Sequence, residues 1–246
     1  GSEMCIRDSL WVEQMAERLN ARVAPARGGG TNYAFAAART GPIAGVNNAA
    51  PNMIQQVDLY LQAGSTTGRD AALHVVNAAT VGNDITDALT LARTNPQAPA
   101  AVIAGAVANI AGIVGKLYTG GARHILLLNS TDIGRTPQAT ALGALAASTA
   151  TALSTQFNSA LSAQIVSLRA ASPGLTIYLV DLGAFTAQVF ANPSSFGFTN
   201  VTAPCVSLSP PSLCGTPGSF FFWDAFHPTE ATGRLVAQRA LTALGR

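Results

Sequence analysis

Residues 72–84 read Ala72-Leu73-His74-Val75-Val76-Asn77-Ala78-Ala79-Thr80-Val81-Gly82-Asn83-Asp84. The run from Ala72 to Ala78, with its β-branched centre, predicts a short strand. Val81-Gly82-Asn83-Asp84 predicts the turn after it, and a helix follows to about Arg93. The same rhythm recurs downstream. A helix ending near Tyr118 is stopped by Gly120-Gly121 and followed by a strand from His124 to Leu128. A long helical pattern from about Ala139 to Ala170 presents Leu145, Leu153, Phe157, Leu161, Ile165 and Leu168 on one face, ends at Pro173-Gly174, and gives way to a strand from Leu175 to Val180. Strands alternating with helices define an α/β protein. Its parallel sheet is covered on both faces, with ligands bound off the carboxyl ends of the strands.

Upstream, a helix starts near Ser9 with Leu10, Val12, Met15 and Leu19 facing inward, Gly28-Gly29-Gly30 leads into residues 31–40, and Pro51 opens a helix to about Leu61. At the other end, Pro228 takes the first position of a final helix to about Leu244, where its missing N–H costs nothing. Of the 246 residues, 48% are hydrophobic and only 11% charged, which excludes a disordered chain. The formal net charge is +2 and the basic residues form no run, so the chain lacks the footprint of a nucleic-acid binder. Thr94 to Gly115 is uncharged and long enough to span a bilayer, but nearly half of it is Ala and Gly and it contains Pro96, Pro99 and Asn109. Its large residues, Ile103, Val107, Ile110, Val114 and Leu117, fall on one helical face. The stretch therefore reads as a helix laid on a sheet rather than a transmembrane span. Without repeats or linkers, one domain is the economical reading.

Three histidines are present. His74 and His124 fall in predicted strands, where a histidine is usually structural. His227 lies between the aromatic run Phe220 to Trp223 and the last helix, three residues after Asp224. A carboxylate that close can accept from one imidazole nitrogen and leave the other free to take a proton from a nucleophile. The competing reading is a helix-terminal histidine beside a surface Asp. At Gly82-Asn83-Asp84, glycine permits a tight turn and the Asn amide can be aimed over the sheet edge, or Asn83 or Asp84 simply caps the next helix.

Together these segments resemble the SGNH, or GDSL, hydrolase family. The resemblance rests on Trp11-Val12-Glu13-Gln14, Gly30-Thr31-Asn32-Tyr33-Ala34 with Ala38-Arg39, Gly82-Asn83-Asp84, Asp132-Ile133-Gly134-Arg135-Thr136-Pro137, and Phe222 to Thr229. It is nearest to the bacterial secreted lipase/esterase branch that includes phospholipase/lecithinase/hemolysin and autotransporter esterases. The resemblance implies a flavodoxin-like three-layer α/β/α fold and a Ser-His-Asp mechanism without metal or cofactor. His227 would be the base, Asp224 its orienting partner, and Asn83 with the Ala37 backbone N–H the oxyanion donors. Ala36-Ala37 replaces the family's Gly-Gly, so the donor survives if the backbone there tolerates a Cβ.

The first block departs further. Met4-Cys5-Ile6-Arg7-Asp8-Ser9-Leu10 offers Asp-Ser-Leu without the preceding Gly, after a strand of three residues, and Trp11 follows with no connecting loop. Residues 1–10 read as a non-native leader, residues 11–246 as one hydrolase domain whose first strand is missing or replaced. Ser9 is then either the nucleophile or the N-cap of the first helix. Cys205 and Cys214 bracket a Pro/Ser loop where secreted family members often carry a pair. This implies a disulfide, with two free thiols as the other reading and Cys5 unpaired. The implied activity is hydrolysis of a small-molecule or lipid ester in a secreted or cell-envelope setting, impaired by the defective nucleophile block. Acyl transfer is a second possible chemistry, and a non-catalytic remnant with a lipid- or glycan-binding cleft is the alternative from another class.

Overall fold

The computed structural model describes residues 10–64, 67–208 and 211–246. Strands β1 (Leu73–Asn77), β2 (His124–Leu128) and β3 (Thr176–Val180) form a parallel sheet in that order, with His74 opposite Ile125 and Ile125 opposite Ile177. Among the described residues no strand precedes β1. The central strand is apolar on both faces. Ile125 and Leu127 join one core, Leu126 and Leu128 the other, and all four are 0% exposed.

Helices α2 (Met53–Ala63), α3 (Val81–Leu91), α4 (Ala98–Thr119), α5 (Pro137–Ala141) and α6 (Ala144–Ala171) surround the first core. Helices α1 (Trp11–Arg18), α7 (Leu182–Ala191) and α8 (Glu230–Ala243) cover the second. The layers are therefore α/β/α. By length and composition α4 could cross a membrane. Its bulky residues Ile103, Ile110, Ile113, Val114 and Leu117 instead lie in the first core, while Ala101, Ala104 and Gly105 face out. Helices α1 and α8 lie side by side in the same direction: a Cβ on Gly233 would sit 3.7 Å from that of Trp11, and Arg18 Nη1 donates to Gln238 at 2.6 Å.

Several boundaries differ from the sequence expectation for identifiable reasons. The turn after β1 is a 3-10 turn at Ala78–Thr80, so Gly82-Asn83-Asp84 lies in the first turn of α3 rather than ahead of it. The 139–170 pattern is two helices, because Gly143 at φ +99° turns the chain; Leu145, one residue into α6, is 82% exposed instead of inward. Thr229, not Pro228, ends the approach to the last helix, its hydroxyl accepting from the Thr232 N–H. Leu10 occupies the N-cap of α1, with its N–H donated to Glu13 at 2.7 Å, so Ser9 does not fill that position and lies outside the described residues. Unanticipated are α7 and the small sheets: β4 (Asn200–Pro204) parallel to β7 (Phe220–Phe222), and the hairpin β5 (Val206–Leu208) with β6 (Pro211–Leu213).

A Cys205–Cys214 disulfide closes the base of that hairpin with the Cα atoms 4.8 Å apart. Thiol titration of the denatured, unreduced protein should find one reactive cysteine of the three. Cys205→Ala with Cys214→Ala should cost about 2 to 3 kcal/mol of stability in urea, the loop-closure value for so short a ring; three reactive thiols would show the pair reduced.

Candidate active site

The Asp224–His227 spacing makes a compact local turn. Asp224 Oδ1 accepts from the backbone N–H groups of Phe226 (2.8 Å) and His227 (2.7 Å), while Oδ2 lies 2.8 Å from the imidazole Nδ1. Trp223 N–H closes the loop on the His227 carbonyl at 2.8 Å. Burial works against the Asp224 carboxylate, yet the ring and backbone donors outweigh it and hold its pKa below the ordinary range. The same hydrogen bond raises the pKa of His227, partly offset by burial, and leaves Nε2 as the nitrogen not engaged by the carboxylate. The turn is braced by its neighbours: Gln138 N–H donates to the Ala225 carbonyl at 2.8 Å, and Val206 N–H to Trp223 at 2.7 Å.

The second part is the segment from Ala37 to Gly41, strapped to α3. Ala37 adopts φ +59°, a left-handed conformation that costs an L-residue with a Cβ roughly 1–2 kcal/mol. Four sets of contacts hold it there. Arg39 Nη1 donates to the Ala37 carbonyl at 2.9 Å, and its other nitrogens pair with Asp87 at 2.8 and 3.1 Å. Asn83 Nδ2 donates to the Ala38 carbonyl at 2.7 Å, which uses one of its two amide protons. Thr40 gives Asp84 its backbone N–H at 3.1 Å and its hydroxyl at 2.6 Å, and Asn109 Nδ2 reaches the Thr40 hydroxyl at 3.2 Å.

The two parts meet through Gly82. It does not support a turn, since it sits inside α3; its value is close approach, because a Cβ there would lie 2.9 Å from the Phe226 ring and 3.0 Å from Ile133. The neighbour of Asn83 thus touches the neighbour of His227. Helix α1 begins at this edge too, since Trp11 packs beside Gly233, one turn after the Thr229 cap. Gly134 is likewise obligatory in the segment after β2, where a Cβ would collide with Ala147 and Thr151. His74 and His124 lie apart from this cluster: the Tyr60 hydroxyl is 2.7 Å from His74 Nε2 and that of Tyr178 is 3.4 Å from His124 Nδ1. Burial lowers the pKa of His74. Among the described residues no group of three His, Cys, Asp or Glu side chains could hold a metal.

From sequence Arg39 and Asp87 carry no role, and Asp84 only that of an alternative helix cap. The available signal was the pair of carboxylates three apart on α3, which lie on one helical face.

Fold and site define an α/β protein with an aspartate-oriented histidine beside a strained backbone loop. A model of the GDSL-like lipase/acylhydrolase family matches residues 6–240, and the chain belongs to that family. That range includes Asp8-Ser9-Leu10. Among curated proteins it is similar to GDSL esterase/lipases of Arabidopsis thaliana. At1g29660 is 31% identical over 144 residues, covering 52% of this chain and 39% of the relative. LTL1 is 28% identical over 209 residues, covering 74% and 56%. The chain thus matches roughly 40 to 55% of the length of these two relatives.

Asp84, 1% exposed, has its pKa pushed up to about 6 by burial, against the hydrogen bonds from Thr40. Because the folded value exceeds the unfolded one of 3.8, the native state holds the extra proton between about pH 4 and 6. Stability therefore falls as pH rises through that window and the loss persists above it. Asp84→Asn keeps an oxygen for Thr40 and removes the charge. Urea unfolding from pH 4 to 7 should show a loss on the order of 3 kcal/mol in the wild type that the variant lacks; equal slopes would mean that Asp84 ionises freely.

Proposed function

We propose that the site hydrolyses carboxylic esters by nucleophilic serine chemistry. The observation that carries this reading is the His227 Nδ1 contact to Asp224 at 2.8 Å, which fixes one tautomer and directs Nε2 to act as base. A serine hydroxyl delivered to Nε2 would lose its proton as it attacks the ester carbonyl, and the imidazolium formed would return that proton to the departing alcohol. The free amide proton of Asn83 and the Ala37 N–H would stabilise the oxyanion, and water would then release the acid. Membership of a lipase/acylhydrolase family supports the ester class. A small-molecule or lipid ester is the substrate, and no step requires a cofactor.

We place the protein outside the reducing cytoplasm, secreted or in a cell envelope. A structural disulfide such as Cys205–Cys214 supports this, since such bonds form and persist chiefly where the medium is oxidising. The relatives described above are plant proteins; our assignment to a bacterial secreted branch rests on the order of the motifs and on one Lys against thirteen Arg. Residues 11–246 are read as the hydrolase domain.

The nucleophile position falls to Ser9, which follows Arg7-Asp8 without Gly and stands two residues before Trp11. Only Leu10 separates Ser9 from α1, a shorter connection than the loop that the family resemblance implies after its nucleophile. The 246-residue chain should therefore turn over short-chain p-nitrophenyl esters at background, since loss of a triad serine costs on the order of 10⁶ in turnover. Adding a hydrophobic strand, Gly-Asp-Ser-Leu and a connecting loop ahead of Trp11 should restore activity. In that enzyme Asn83→Ala should lower kcat about 10²- to 10³-fold. Asp224→Asn should lower the His227 pKa, read by imidazole NMR, because the hydrogen bond that raises it is weakened. Turnover by the unmodified chain that Ser9→Ala abolishes would make Ser9 the nucleophile. An inactive restored enzyme would sink the hydrolase reading in favour of a binding cleft.

A further inference from the structure

Arg39 divides its guanidinium between two acceptors. Nε and Nη2 pair with the Asp87 carboxylate at 2.8 and 3.1 Å, and Nη1 donates to the Ala37 carbonyl at 2.9 Å. Only 20% of the Arg39 side chain and 15% of the Asp87 side chain are exposed, so water and salt screen this pair less than a surface one. Asp87 lies one turn beyond Asn83 on α3. The fork therefore ties the Ala37 carbonyl to one fixed point on the helix, and the Asn83 amide ties the Ala38 carbonyl to another.

Rotation about the Ala37 N–Cα bond separates the left-handed conformation from the ordinary one. With both carbonyls downstream of that bond held, the rotation can swing only the Ala36–Ala37 peptide, the unit that carries the Ala37 N–H. The φ of +59° and the direction of that N–H are thus one geometric variable. Ala37 is exposed and its N–H has no acceptor among the described residues, which leaves it available to a ligand atom. A glycine would take this φ freely, whereas the Cβ of Ala37 favours turning the N–H away. We propose that Arg39, clamped by Asp87, is the positioning residue that keeps the Ala37 N–H aimed as an oxyanion donor, a role made necessary by the alanine at position 37. The oxyanion part rests on the ester-hydrolase reading, whereas the hold of Arg39 on Ala37 can be measured without turnover.

The test is a double-mutant cycle between positions 39 and 37. In the restored enzyme Arg39→Gln should lower kcat about 5- to 30-fold, the population factor that corresponds to the cost of a left-handed alanine. KM should change less than about twofold, since ground-state binding is not what the donor supplies. Adding Ala37→Gly to that variant should recover most of the loss, because glycine holds the same φ without help. Arg39→Lys keeps a charge opposite Asp87 but offers a point donor in place of the fork, so it should lose activity in the same way and be rescued by the same glycine. It also serves if Arg39→Gln does not fold. In the 246-residue chain a strong nuclear Overhauser contact between the N–H and Hα of Ala37 marks the positive φ. That contact should weaken in both Arg39 variants while the His227 imidazole signals stay in place. Unchanged kcat or an unchanged Ala37 contact in both variants would overturn the proposal, as would a loss that Ala37→Gly does not recover. An inactive restored enzyme with a weakened Ala37 contact would remove the hydrolase reading and the oxyanion role with it, and leave Arg39 only as the residue that holds Ala37 left-handed.

Discussion

The structure depends on one strand being dry on both sides. Ile125, Leu126, Leu127 and Leu128 of β2 are fully buried, alternately in the two cores, so water can reach neither face and the backbone must satisfy its hydrogen bonds laterally through β1 and β3. A parallel neighbour on each side requires helical crossovers, and these supply the two outer layers. Polar groups then concentrate where β2 ends. Asn129 donates to Asp181 at 2.9 Å and accepts from the N–H groups of Leu182 and Gly183, fastening the exit of β2 to that of β3; Ser130 exchanges a pair of bonds with Asn158 of α6. The carboxyl edge is thereby rigid before any functional group is placed on it.

On that edge the two halves of the site are built by different means. The Asp224–His227 turn is local: three donors within three residues converge on one carboxylate, so sequence spacing is enough to make it. The Ala37 loop is not local. Its left-handed residue is unfavourable by itself and persists because Arg39, Asn83 and Thr40 tie the loop to α3 at several points, with Asp87 and Asp84 as acceptors. The hydrogen bonds of the Arg39–Asp87 pair contribute roughly 1.5–3 kcal/mol each, which is enough to outweigh a backbone cost of about 1–2 kcal/mol. This is how a chain with Ala in place of Gly keeps a conformation that glycine would adopt freely.

Surface charge contributes little to holding the molecule together. Lys116–Asp58 and Arg234–Glu230 are exposed pairs of the kind that add at most about 1 kcal/mol. Besides Arg39, Arg69 carries structural weight: 5% exposed, its guanidinium donates to the carbonyls of Leu61, Gly64 and Gly120 and stacks over Tyr60. It closes the carboxyl-terminal ends of α2 and α4, where positive charge is favourable beside the negative end of the helix dipole.

The sequence by itself determined the α/β class, the β2 strand at its observed bounds and the Asp224–His227 turn, because period and spacing are local quantities that the backbone reads directly. It also carried the family, through Trp11, Gly82-Asn83-Asp84 and the segment from Phe222 to Thr229. What tertiary structure decided was of longer range. That Gly82 exists to admit Phe226, that Leu145 faces water after the Gly143 bend, and that Arg39 reaches Asp87 across 48 residues of chain all depend on which surfaces meet after folding. No periodicity encodes such contacts.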